Sequence, residues 1–103
     1  MNEPYDEKST IVAVPRIIVS YNVPRGGHGM SSIVYQFVFG RKVTKKLKAR
    51  KRVYRYSGLV ERPGVEAIGQ SVLMMREKDA EDFHAFLWSH HVSHTMMKVW
   101  IEP

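Results

Sequence analysis

The stretch MSSIVYQFVFG, Met30–Gly40, decides the fold. Its β-branched and aromatic residues favour a strand, whereas Ile33, Val34, Phe37 and Val38 recur at spacings of three and four, the period of a helix face. A strand here leads to a meander with a single helix, and a helix leads to the order βαββαβ. Ser31 and Ser32 supply N-cap hydroxyls, and Gly40 followed by Arg41 and Lys42 is a C-terminal stop, so the helix is preferred.

Upstream, Ile17, Val19, Tyr21 and Val23 alternate with Ile18, Ser20 and Asn22 in a strand expected to start at Arg16, because Pro15 cannot donate to a ladder. Pro24 and the cluster Gly26, Gly27, Gly29 end it. Residues 1–9 are polar and aperiodic and are expected to form a disordered leader to a single domain spanning 10–103. Downstream, Arg50, Arg52, Tyr54 and Tyr56 fall on one strand face, with Lys51, Val53, Arg55 and Ser57 on the other. Arg62, Pro63 and Gly64 then turn the chain into a second strand, Val65–Met75, so that the two read as a β-hairpin. The run Val72–Met75 is apolar throughout and is expected to be buried on both faces. The basic loop 41–52 has too little apolar content to pack and should be an exposed loop or the outer end of a ribbon.

Glu77, Asp79, Glu81 and Asp82 crowd the start of a second helix, a place where solvated carboxylates compensate the dipole. Ala80, Phe83, Leu87 and His91 share one of its faces, and it is expected to end near Val92. His90, His91 and His94 gather at that end, where capping explains them better than metal ligation. Met97, Val99 and Ile101 alternate with Met96, Lys98 and Trp100 in a closing strand, and the methionines are expected to fill core space. The order βαββαβ leads to an α+β, ferredoxin-like domain: a four-stranded antiparallel sheet with two helices on one face.

Charge is distributed very unevenly. From Ile11 to Val60 there is no aspartate or glutamate, but there are eleven lysines and arginines. Nine of these, Arg41, Lys42, Lys45, Lys46, Lys48, Arg50, Lys51, Arg52 and Arg55, lie within fifteen residues, while seven cations face ten acids elsewhere, so the net +6 is local. Such a field repels itself and persists where an anionic partner neutralises it. The apolar runs fall far short of the roughly 20 residues that cross a bilayer, and the N-terminus lacks the basic-then-apolar order of a secretion signal, so a cytoplasmic protein is expected. Without cysteine there is no disulfide, thiolate metal site or cysteine nucleophile. No cofactor is expected.

The strand IIVSYNVP (Ile17–Pro24), the strand GQSVLMM (Gly69–Met75) entering a helix, and the closing MMKVWIE resemble the small CRISPR adaptation subunits of ferredoxin-like fold and their toxin relatives. In that family the first strand ends in a Tyr-Asp pair whose aspartate is the expected ligand of a divalent metal, and a Gln-x-Ser-Val type strand precedes the second helix. Tyr21 matches the tyrosine, and Gln70, Ser71 and Val72 match the later strand. Asn22 stands in the place of the aspartate, and a neutral amide is a much weaker ligand for a hard cation. The resemblance therefore implies the fold, and a homodimer, more than metal-dependent phosphodiester cleavage.

The expected function is nucleic-acid binding without catalysis, to RNA or DNA, and a place within a ribonucleoprotein such as the ribosome fits the same features. Arg41, Lys42, Lys45, Lys46, Lys48, Arg50, Lys51, Arg52 and Arg55 would neutralise phosphates, and Tyr54 and Tyr56 would stack on bases unless they face the core. Arg25 and His28 lie in the loop Arg25–Gly29, which would add a phosphate contact if it is more than a turn. A metal-dependent nuclease and a module for an acidic protein partner are the alternatives.

Overall fold

A computed structural model describes residues 12–23 and 29–102. Its elements run β1 (Val14–Asn22), α1 (Met30–Phe39), β2 (Arg41–Leu47), β3 (Arg50–Tyr56), a 3-10 turn at Leu59–Glu61, β4 (Glu66–Gly69), β5 (Val72–Met75), α2 (Glu77–Ser89) and β6 (Ser93–Ile101). Strands β4, β5, β1 and β6, in that order, make an antiparallel four-stranded sheet, and among the described residues β2 pairs only with β3, in a separate two-stranded ribbon. Without the ribbon the order is βαββαβ, the ferredoxin-like arrangement. The ribbon is an insertion between α1 and the second strand of the sheet.

Met30–Phe39 is helical and stops at Gly40, whose N–H donates to the Gln36 carbonyl, but Ser31 and Ser32 do not cap it: the chain enters through Gly29 with no side-chain cap, and Ser32 lies within the helix, its Oγ accepting from Gln36 Nε2. Val34 and Val38 of α1 and Ala80, Phe83 and Leu87 of α2 meet Ile17, Val19, Leu73 and Met75 in one core, so both helices cover the same sheet face. Phe37 joins the helices, stacking on Phe86 at 3.9 Å and on Phe83 at 5.8 Å between ring centroids. Tyr21 meets Phe83 edge-on at 5.3 Å. Stacked and edge-on arrangements suit the ring quadrupole and add to the burial term.

Several sequence expectations are corrected. β1 begins at Val14, not Arg16, because β5 stops at Met75 opposite Ile17. At Pro15 only β6 lies alongside, so the missing N–H breaks no second ladder. Arg50–Tyr56 is not the second strand of the sheet. Its partner is Arg41–Leu47, so of the two expected states, an exposed loop or the outer end of a ribbon, this segment takes the ribbon. The segment Val65–Met75 is itself a hairpin, turning at Gln70 and Ser71. Val72 and Met74 lie on the helix-free face of the sheet and are half-buried, so β5 is not buried on both sides. Met96 and Met97 are exposed rather than core, and Trp88 and Trp100 are among the most exposed apolar residues. α2 ends at Ser89, which leaves His91 beyond the helix and exposed. The expected leader 1–9 lies outside the described residues.

Candidate nucleic-acid interface

The ribbon is built around seven cross-strand pairs from Arg41↔Tyr56 to Leu47↔Arg50. Directly paired residues share a face, so Arg41, Val43, Lys45, Leu47, Arg50, Arg52, Tyr54 and Tyr56 form one side. Lys42, Thr44, Lys46, Lys51, Val53 and Arg55 form the other. The grouping of Arg50, Arg52, Tyr54 and Tyr56 expected from the alternation is therefore present. Lys48 sits in the turn with φ at 43°, a left-handed backbone that an L side chain adopts at some cost. Val43 and Tyr54 are half-buried, and every other residue of the two strands is exposed.

Neither tyrosine belongs to the core. Arg41 lies over the Tyr56 ring at 4.7 Å and Lys45 over the Tyr54 ring at 5.4 Å, so the aromatic faces are covered by the ribbon's own cations. The ladder also sets Lys42 opposite Arg55, Lys45 opposite Arg52 and Lys46 opposite Lys51. Like charges directly opposite one another destabilise a ladder by roughly 0.2–1 kcal/mol each. Among the described residues, Arg55 alone of the nine ribbon cations forms a salt bridge.

That one partner is Glu61, the first acid after the acid-free stretch. Its Oε1 accepts from Arg55 Nη2 at 2.5 Å and its Oε2 from the Gly58 amide at 2.7 Å, which ties the last turn of the ribbon to the body. Gly40 and Gly58 lie beside each other at the same root, backbone against backbone. An open cleft of ≈ 630 Å³ adjoins it, with Arg41, Tyr56, Gln36 and Arg62 on its walls.

The acids of α2 are not all solvated. Asp79 is fully buried and accepts from Arg62 Nη1 at 3.2 Å and from Arg76 Nε at 3.3 Å, and Arg62 also donates to Asp82 at 2.8 Å. The Asp82 hydrogen bond raises the Arg62 pKa further above its ordinary value, partial burial opposes the rise, and Asp79 adds to it. These arginines anchor the segment after the ribbon to α2. The spacing of Arg76 and Asp79, three apart, was the available signal for the pairing.

His90 caps α2, its Nδ1 donating to the Phe86 carbonyl at 2.8 Å. His94 Nδ1 donates to the Val92 carbonyl at 2.8 Å, and its Nε2 lies 2.7 Å from His84 Nδ1, within hydrogen-bonding distance. Among the described residues, no group of three or more His, Cys, Asp or Glu side chains is placed to hold a metal. Tyr21, Asn22, Gln70 and Ser71, which carried the family resemblance, line one cleft of ≈ 550 Å³. Arg25 and His28 lie outside the described residues. No described helix is long and apolar enough to cross a membrane.

The chain matches no protein-family model, no curated protein and no solved structure.

Proposed function

We propose that this is a small non-enzymatic nucleic-acid-binding protein whose ribbon, residues 41–56, contacts the phosphate backbone, on its own or within a ribonucleoprotein. The carrying observation is the ladder of opposed cations, Lys42–Arg55, Lys45–Arg52 and Lys46–Lys51, on a ribbon that, among the described residues, pairs with no third strand and is almost wholly exposed. An isolated two-stranded hairpin is marginal in water, and this one is further weakened by repulsion. A polyanion threaded along it removes the repulsion and releases counterions of its own, so binding and ordering of the ribbon reinforce each other.

Titration of the protein into a fluorescently labelled oligonucleotide at 50 and 200 mM salt tests the reading. A protein neutralising six or more phosphates is expected to lose about 10³-fold in affinity across that range. Affinity unchanged by salt overturns it. Equal affinity for heparin and for nucleic acids transfers the ribbon to an acidic partner, and magnesium-dependent cleavage by the protein or its Asn22→Asp variant makes it a nuclease.

A further inference from the structure

The two faces of the ribbon carry different cations. One face holds Arg41, Lys45, Arg50 and Arg52, and the other Lys42, Lys46, Lys51 and Arg55. Contacts within the protein sharpen the difference. Arg41 and Lys45 lie over the tyrosine rings, which leaves Arg50 and Arg52 as the cations of the first face that stack on no ring. Arg55 is held by Glu61, which leaves lysines on the second face. Guanidinium is a planar fork that pairs bidentately with the O6 and N7 edge of guanine, whereas ammonium is a point charge suited to phosphate.

We infer that the ribbon lies in the major groove of a B-form DNA duplex, its arginine face toward the base edges and its lysine face toward the phosphates at the rim. This rests on the functional reading above and specifies its partner. The major groove, about 12 Å wide and 8.5 Å deep, admits a two-stranded β-ribbon. Strands of seven residues at about 3.3 Å each reach roughly 23 Å along it. A ribbon laid flat in the groove turns one face to the base edges, while the long, flexible lysines of its outer face reach past the ribbon edges to the phosphates at the rim; a ribbon laid on a single strand uses one face only. The major groove of A-form RNA is too narrow for side chains to read.

The test is fluorescence anisotropy with one G·C-rich sequence prepared as duplex DNA, duplex RNA and single-stranded DNA, at fixed salt. Duplex DNA is expected to bind about tenfold or more tightly than the other two, the scale set by one or two bidentate base contacts. The double variant R50K/R52K keeps every charge and is expected to lose that preference while its salt dependence stays the same. The variant K46Q/K51Q is expected to keep the preference and to flatten the log–log salt slope by about 1.8, or 0.9 per phosphate contact. Both changes lie on exposed ribbon positions, and circular dichroism verifies that the body remains folded. Equal binding to all three nucleic acids, or a preference that survives R50K/R52K, overturns the groove assignment and leaves nucleic-acid binding standing. Failure to bind any of the three overturns both.

Discussion

The backbones of Gly40 and Gly58 pass so closely that neither residue can carry a side chain. A Cβ on Gly40 would lie 2.5 Å from the Tyr56 carbonyl oxygen and 2.9 Å from the Gly58 nitrogen, and one on Gly58 would overlap the Gly40 amide and the end of α1. Gly40 also has φ at 83°, where only glycine is at ease. This crossing lets α1 run straight into the ribbon and lets the ribbon return beside the same helix end.

Gly58→Ala is therefore expected to destabilise the protein by about 2 kcal/mol, the scale of forced overpacking. Gly69→Ala is the control, because its Cβ would meet only Val72 at ordinary contact distance, 3.6 Å. Urea denaturation reads both: a lower midpoint for Gly58→Ala, with little change for Gly69→Ala.

At the far end of the ribbon, Lys48 is held in the left-handed region. Lys48→Gly relieves a conformational cost of about 1 kcal/mol and is expected to slow hydrogen exchange of the Leu47 and Arg50 amides beside the turn, with α2 unaffected. Faster exchange at those amides would show that the turn is not strained.

Asp79 is the structural acid of α2. Asp79→Ala removes the buried acceptor that Arg62 and Arg76 share and is expected to cost about 2 kcal/mol, the scale of hydrogen bonds to a charged group. Asp82→Ala removes only an exposed contact to Arg62 and is expected to cost less than about 1 kcal/mol. Thermal unfolding of the two variants gives the ranking, and equal losses would contradict it.

Burial raises the pKa of Tyr21 above 10.0, and a hydrogen bond with Ser71 partly opposes the shift. The folded protein thus holds this proton more tightly than the unfolded chain does. The associated stability is complete below pH 10 and is lost as pH rises from 10 through the raised folded value. Tyr21→Phe removes the ionisation, so its stability is expected to fall less steeply above pH 10 than that of the wild type. Parallel pH profiles for the two would disprove the assignment.

The core elements were legible because local and tertiary signals agreed. α1 had its apolar stripe and glycine stop, and α2 its acidic first turn and the Ala80, Phe83, Leu87 face. Both hairpin turns were obscured for one physical reason: their left-handed positions are filled by Lys48 and Ser71, not by glycine or asparagine. Without that punctuation, β2 read as either a loop or a ribbon end, and β4–β5 as one strand. Arg50–Tyr56 was placed correctly as a strand with the right faces, but alternation carries no information about which strand is its neighbour. The role of Glu61 was hidden because its partners, Arg55 and the Gly58 amide, come together only once the ribbon returns to its root.

The opposed cations of the ribbon would give the free protein and the proposed nucleic-acid complex contrary responses to ionic strength. Added salt screens Lys42 from Arg55, Lys45 from Arg52 and Lys46 from Lys51, so the unbound ribbon becomes steadier as the solution becomes more concentrated. In the proposed complex the same ions would compete for phosphate and loosen the bound form. If the proposed function holds, dilute solution finds the ribbon at its least ordered alone and at its most attractive to a polyanion, and folding of the segment and capture of the partner would become one event.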